Sequence, residues 1–282
     1  VDALSNKELF DALKFNALIK EAQFTCEILC EGVTQIRKAN YARKGIYFQA
    51  FTSLSTGLER IGKLCLILDY IKKKGDYPDD YFLKYLKKEI RHDIEKIYQK
   101  VLELKQEYRF NFRFMQDLNS DIYQTILRIL SRFAKGDRYS NIDLIVNKRT
   151  YDDPIKMWYE QVDLYFFENL VPQRKKKRIR DNSQIISQLM EPFTLVRHTG
   201  ENGKDILSVE DASYRTGIFE TVGPYRQLYT FHIIRFFVEM LGCLQSKIIK
   251  ESRFEIPYFS EVFRVFYNDD SYIKSRKTWK MI

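Results

Sequence analysis

The chain has 282 residues and a mass of 33.9 kDa, enough for one large domain or two modest ones. Apolar residues at 45% and charged residues at 30% exclude an intrinsically disordered chain, and 11 glycines with 6 prolines are too few for a collagenous or low-complexity one. The net charge of +9 is uneven, with +7 in residues 1–150 and +2 in residues 151–282. No stretch approaches the roughly 18 uninterrupted apolar residues of a membrane-spanning helix. The N-terminus has no basic region followed by an apolar run, so the expectation is a soluble, cytoplasmic protein with no membrane partner.

Ser5-Asn6-Lys7-Glu8 has the form of a capping box and opens a first long helix, with apolar residues at helical spacing from Leu9 and Leu13 to Val33 and Ile36. A second helix runs from about 42 to 73 and ends at Lys72-Lys73-Lys74-Gly75, since basic residues followed by glycine are a helix stop. Shorter helices follow at 80–88, from Asp93 to about Glu107, and over 120–133. No alternating strand stands out in the first 150 residues, which predicts an all-α antiparallel bundle for residues 1–150.

Residues 151–282 read as a helical extension or second subdomain. A helix is expected over 154–170, then a basic loop over 171–183, where Gln173–Arg180 carries six positive charges in eight residues. A second loop covers 190–204. Ser208 to Asp211 is a cap for a short helix, and Pro224 opens a central helix over 224–251 that is apolar on nearly every side.

The chemistry available to the sequence is narrow. Its three histidines show no metal-binding spacing, and there is no phosphate loop, dinucleotide fingerprint or nucleophile elbow, so neither a metal nor a cofactor is expected. Cys26, Cys30, Cys65 and Cys243 lie in apolar helical segments and are expected to pack as reduced core residues. At 100° per residue, His232, Arg235, Glu239 and Ser246 share one sector of the 224–251 helix, a polar stripe on an apolar element. Its plain reading is an Arg235–Glu239 ion pair with His232 bonded nearby; its functional reading makes His232 a general acid or base, with Arg226 or Arg235 on a phosphate. Arg174, Lys175, Lys176, Lys177, Arg178 and Arg180 are either a solvated linker or a contact for the phosphate backbone of a nucleic acid.

Leu58-Glu59-Arg60-Ile61-Gly62-Lys63-Leu64, His92-Asp93-Ile94-Glu95-Lys96-Ile97-Tyr98 and Arg138-Tyr139 follow one another in an order that resembles the HEPN superfamily of small helical bundles. The resemblance covers residues 50–145, about a third of the chain. Many members are ribonucleases or toxins of bacterial conflict and defence. It implies a metal-independent endoribonuclease acting on RNA through an Arg and a His a few residues apart, with two sites meeting across a homodimer and a protein partner drawn from a defence or toxin–antitoxin system. Arg91 and His92 are adjacent, a departure from that spacing, whereas Arg226 and His232 satisfy it. The resemblance therefore implies Arg226 and His232 as the catalytic pair. Glu59, Arg91 and His92 are the alternative, a pocket for a nucleotide or an RNA phosphate. A non-catalytic helical module that binds a protein partner or a nucleotide is the competing function; it predicts an exposed aromatic surface and no converging Arg/His pair.

Overall fold

The computed structural model describes residues 6–146, 152–251 and 254–281. Among them the chain is helical almost throughout, as the periodicity requires. Helix α1 (Asn6–Lys38) and α2 (Gly45–Lys74) form a long antiparallel hairpin. Asn40 caps the single 3₁₀ turn between them, its side chain accepting from the amides of Ala42 and Arg43. The cap contacts foreseen at Ser5 lie outside the described residues. Gly75 ends α2 in the left-handed region (φ 67°), its amide bonded to the Ile71 carbonyl, as the lysine–glycine stop predicts.

Helices α3 (Asp80–Tyr85), α4 (Ile94–Glu107) and α5 (Asp121–Lys135) complete the first bundle. Asp93 caps α4, its carboxylate accepting from the Lys96 amide. Gly62 on α2 sits where a Cβ would lie 2.1 Å from Ile97, so α4 approaches α2 at a distance that a larger residue would forbid. Helix α3 passes into a π turn over Leu86–Ile90. A short α6 (Ser140–Ile145) precedes the second half.

The helix expected over 154–170 is present as α7 (Pro154–Trp158) and α8 (Leu164–Leu170), joined without a break through a π turn over Tyr159–Asp163. Two expectations are corrected here. The basic loop is a helix, α9 (Gln173–Met190), because Ile179 and Ser183 give it an inward edge while its cations stay in water. The central helix starts 15 residues early: α10 spans Val209–Glu251, 43 residues and about 65 Å, with Pro224 in its interior. Ser208 does cap it, its hydroxyl accepting from the Asp211 amide at 3.1 Å. Tertiary packing overrides the proline: at Gly223 a Cβ would stand 2.6 Å from the Arg37 carbonyl, so the end of α1 rests directly on the backbone of α10.

A two-residue hairpin, β1 (His198–Thr199) with β2 (Asp205–Ile206), interrupts the expected second loop. Helices α11 (Phe259–Val262) and α12 (Asp270–Ser275) close the C-terminal end. Helix α10 runs parallel to α2, with Tyr47 beside Arg226 and Lys72 beside Glu251. One continuous apolar core joins α1, α2, α4 and α5 to α10, with Leu54, Leu64, Ile97, Phe236 and Phe237 buried in it. The boundary expected near residue 150 therefore does not divide the core. Cys26, Cys30 and Cys65 are buried and Cys243 is half-buried. Among the described residues no helix is long and apolar enough to cross a membrane.

Candidate functional site

Arg226 lies on α10 wholly inside the protein, 1% exposed. Its Nε and Nη2 donate to the two carboxylate oxygens of Asp163 at 2.6 and 2.5 Å, and Nη2 also donates to the Tyr47 hydroxyl at 2.8 Å. Nη1 donates to the carbonyls of Ala39 (2.6 Å) and Ile36 (3.4 Å), which uses every donor of the guanidinium. The π turn over Tyr159–Asp163 points Asp163 inward, where it also accepts from Trp158 Nε1 at 3.0 Å. Burial raises the Asp163 carboxyl above its ordinary range against the pull of the bidentate guanidinium, and Asp163 in turn holds Arg226 above its own. Arg226 has no donor left for a phosphate.

His232 faces a different sector of α10, about 120° around the axis from Arg226. Its Nδ1 accepts from the Tyr123 hydroxyl at 2.7 Å and its Nε2 donates to Asp270 at 3.0 Å. Burial lowers the His232 pKa, outweighing Asp270, so the ring is the neutral tautomer with its proton on Nε2. Burial pushes the Tyr123 phenol up, which keeps it the donor. Both ring nitrogens are occupied. Arg226 and His232 share no partner, and the single chain does not bring them together as the pair the resemblance implies.

The expected Arg235–Glu239 ion pair does not form. Arg235 donates instead to the carbonyls of Phe266 and Asn268 and reaches Asp270 at 3.3 Å. Glu239 accepts from the backbone amides of Arg113, Phe114 and Met115. The polar stripe ties down the chain on either side of α10.

Of the six basic residues on α9, only Lys176 is consumed, paired with Glu168 at 2.7 Å over the Phe167 ring. Arg174, Lys175, Lys177, Arg178 and Arg180 are exposed, and among the described residues none has an ion-pair partner. The second half of the same helix and the segment after it expose Ile185, Leu189, Phe193 and Leu195.

Glu59 and His92 meet, and Arg91 and His92 line one cleft. The π turn ends by bonding the Arg91 amide to the Leu86 carbonyl, and the chain then reverses through Ile90–Asp93, with the Asp93 amide on the Ile90 carbonyl at 3.2 Å. Arg91 has φ 52° and ψ −129°, the first central position of a type II′ turn, where glycine is the residue that fits. A side chain held there is strained, and strain of this kind collects at functional sites. The turn is fixed from behind: Asp93 is bonded to Ser131 Oγ at 3.2 Å and to Lys135 Nζ at 2.6 Å.

From α2, Glu59 places Oε2 at 2.9 Å from His92 Nδ1 and Oε1 against Lys63 Nζ at 2.5 Å. The carboxylate is largely buried, whereas the imidazole is 64% exposed and its Nε2 has no partner among the described residues. Arg91, His92, Lys96 and Lys135 line a cleft of about 440 Å³. Lys96 is bound to the Glu89 carbonyl at 2.7 Å and Lys135 to Asp93, so Arg91 is the free cation of this cleft among the described residues. The cleft is thus lined by a carboxylate-oriented histidine and an arginine with no ion-pair partner among the described residues, residue types suited to proton transfer next to an anionic phosphate.

Sequence reasoning missed Lys96, Lys135 and the strained backbone at Arg91. Nothing in the spacing of α4 shows Lys96 turning back onto the Glu89 carbonyl, and a positive φ at a non-glycine residue leaves no signal either. Among the described residues no group of His, Cys, Asp and Glu is placed to hold a metal ion. No protein-family model matches the chain, and no curated protein or solved structure is detectably similar to it.

Proposed function

We propose that this protein is a metal-independent endoribonuclease whose working group is His92, oriented by Glu59, with Arg91 on the scissile phosphate. The observation that carries the reading is the Glu59–His92 contact at 2.9 Å beside the free guanidinium of Arg91 in a strained turn. Glu59 fixes Nδ1 as the protonated nitrogen, leaving the Nε2 lone pair to take the proton of an RNA 2′-hydroxyl as that oxygen attacks the adjacent phosphorus. Arg91 matches the charge that builds on the phosphate oxygens. The P–O5′ bond breaks, the proton passes from His92 to the leaving 5′-oxygen, and a 2′,3′-cyclic phosphate remains. RNA as the substrate comes from the HEPN resemblance together with the five free cations of α9, which supply a contact for the backbone. The toxin-type or defence role and the homodimer belong to the same resemblance.

Cleavage of a broad RNA panel in EDTA tests the proposal. Wild type is expected to cleave. His92→Ala and Glu59→Gln lose about 10²- to 10⁴-fold and a smaller factor respectively, while His232→Ala, matched for folding by circular dichroism, keeps its rate. Selective loss in His232→Ala would return the site to α10. RNA binding without cleavage would overturn the nuclease reading and favour the binding module.

A further inference from the structure

A second cleft, of about 630 Å³, opens along the C-terminal half of α10 and shares no lining residue with the Arg91–His92 site. The rings of Phe110, Phe114 and Tyr267 form its walls, and α10 provides its floor around Ser246. Gly242 leaves that floor flat: a Cβ there would stand 3.4 Å from the Tyr267 hydroxyl.

The polar groups on this cleft divide into two sets. Both carboxylates are already matched, Glu239 by three backbone amides and Glu251 by Lys72 at 3.1 Å and Lys247 at 2.8 Å. Four other groups have no hydrogen-bond or ion-pair partner among the described residues: the Arg113 guanidinium, the Lys250 ammonium and the hydroxyls of Ser246 and Tyr267. Arg113 lies only over the ring of Phe114, at 5.0 Å, and Arg235 covers the same ring at 4.5 Å. Burial pushes the Tyr267 phenol up to about 12, so it stands as a donor throughout the neutral range. Phe110 is stacked on Tyr108, so the cleft offers the Tyr267 ring, two unpaired cations and two unpaired hydroxyls around a space of ligand size.

A planar aromatic ring answers the walls, hydroxyls answer Ser246 and Tyr267, and an anion answers Arg113 and Lys250. We propose that this cleft binds a purine mononucleotide, with the base against Tyr267 and the phosphate at Arg113 and Lys250. Phe114 and Tyr267 are 6.1 Å apart and tilted by 41°, so the base lies against Tyr267 and does not enter between the two rings. The site is independent of the nuclease reading.

Calorimetric titration of AMP into the full chain tests it, with adenosine and ribose 5-phosphate as the two halves of the ligand. AMP is expected to bind saturably at one site, each half at least about tenfold more weakly. Arg113→Glu, an exposed substitution, weakens AMP about tenfold and leaves adenosine unchanged. Ser246→Trp, also exposed, fills the floor and removes both ligands, while His92→Ala changes neither. Absence of AMP binding at millimolar concentration would overturn the proposal, as would binding that survives Ser246→Trp or is lost in His92→Ala.

Discussion

Arg91 shows how one residue can serve a site at the expense of stability. Its φ of 52° with ψ of −129° suits glycine, and no intramolecular bond of its guanidinium compensates among the described residues. Arg91→Gly should therefore stabilise the protein by ~1 kcal/mol, read from denaturant midpoints at unchanged slope, while lowering RNA cleavage. Arg91→Ala removes the same guanidinium but keeps a Cβ in the strained region, so it should lose activity without that gain. Equal stability of the two variants would mean that the turn relaxes freely and that the backbone is not held for function. Arg226 makes the opposite case: its five donors all have partners, and the resemblance pointed to it because spacing along a helix says nothing about what waits on each side.

Helix α9 shows the same contrast at the scale of an element. Six cations in eight residues suggest a loop when charge is weighed alone, yet Ile179 and Ser183, four residues apart, are enough to seat the segment as a helix against the amino-terminal part of α10. The rigid helix holds Arg174, Lys175, Lys177, Arg178 and Arg180 within two turns. If it contacts RNA, a Lys175→Gln, Lys177→Gln, Arg178→Gln variant should reduce the slope of log affinity against log salt by ~2 and weaken all sequences alike. An unchanged slope would remove α9 from the interface and leave its cations as a solvated face. The long helices were legible because their apolar periods are clean and their stops, such as Gly75, are chemical. The start of α10 was not, because Pro224 mimics a first turn and only contact with α1 shows otherwise. The alternative site was legible as residue types, Glu59, Arg91 and His92; its geometry depends on a π turn and a strained reversal that no periodicity encodes.

For the whole molecule, residues 151–282 read from sequence as an extension or a second subdomain, and one continuous apolar core joins them to the first half. Asp163 comes from the second half and Arg226 from α10, and their buried pair is closed by Tyr47 of α2 and by the carbonyl of Ala39, both in the first. Removing one member of such a pair leaves a charge stranded in the core, so Asp163→Asn should cost ~3–5 kcal/mol. The direction of the loss does not depend on which half is probed. Trp158 and Trp279 both report on residues 151–282, while helical circular dichroism is dominated by all the long helices, α1 and α2 included. If a single core holds α10 between the two halves, tryptophan fluorescence and circular dichroism will give coincident denaturant transitions in wild type, and in Asp163→Asn both will move to lower denaturant by the same amount. A fluorescence transition that moves alone, leaving a helical population unfolding at the wild-type midpoint, would mean that residues 1–150 fold without α10 and that the core is divided after all.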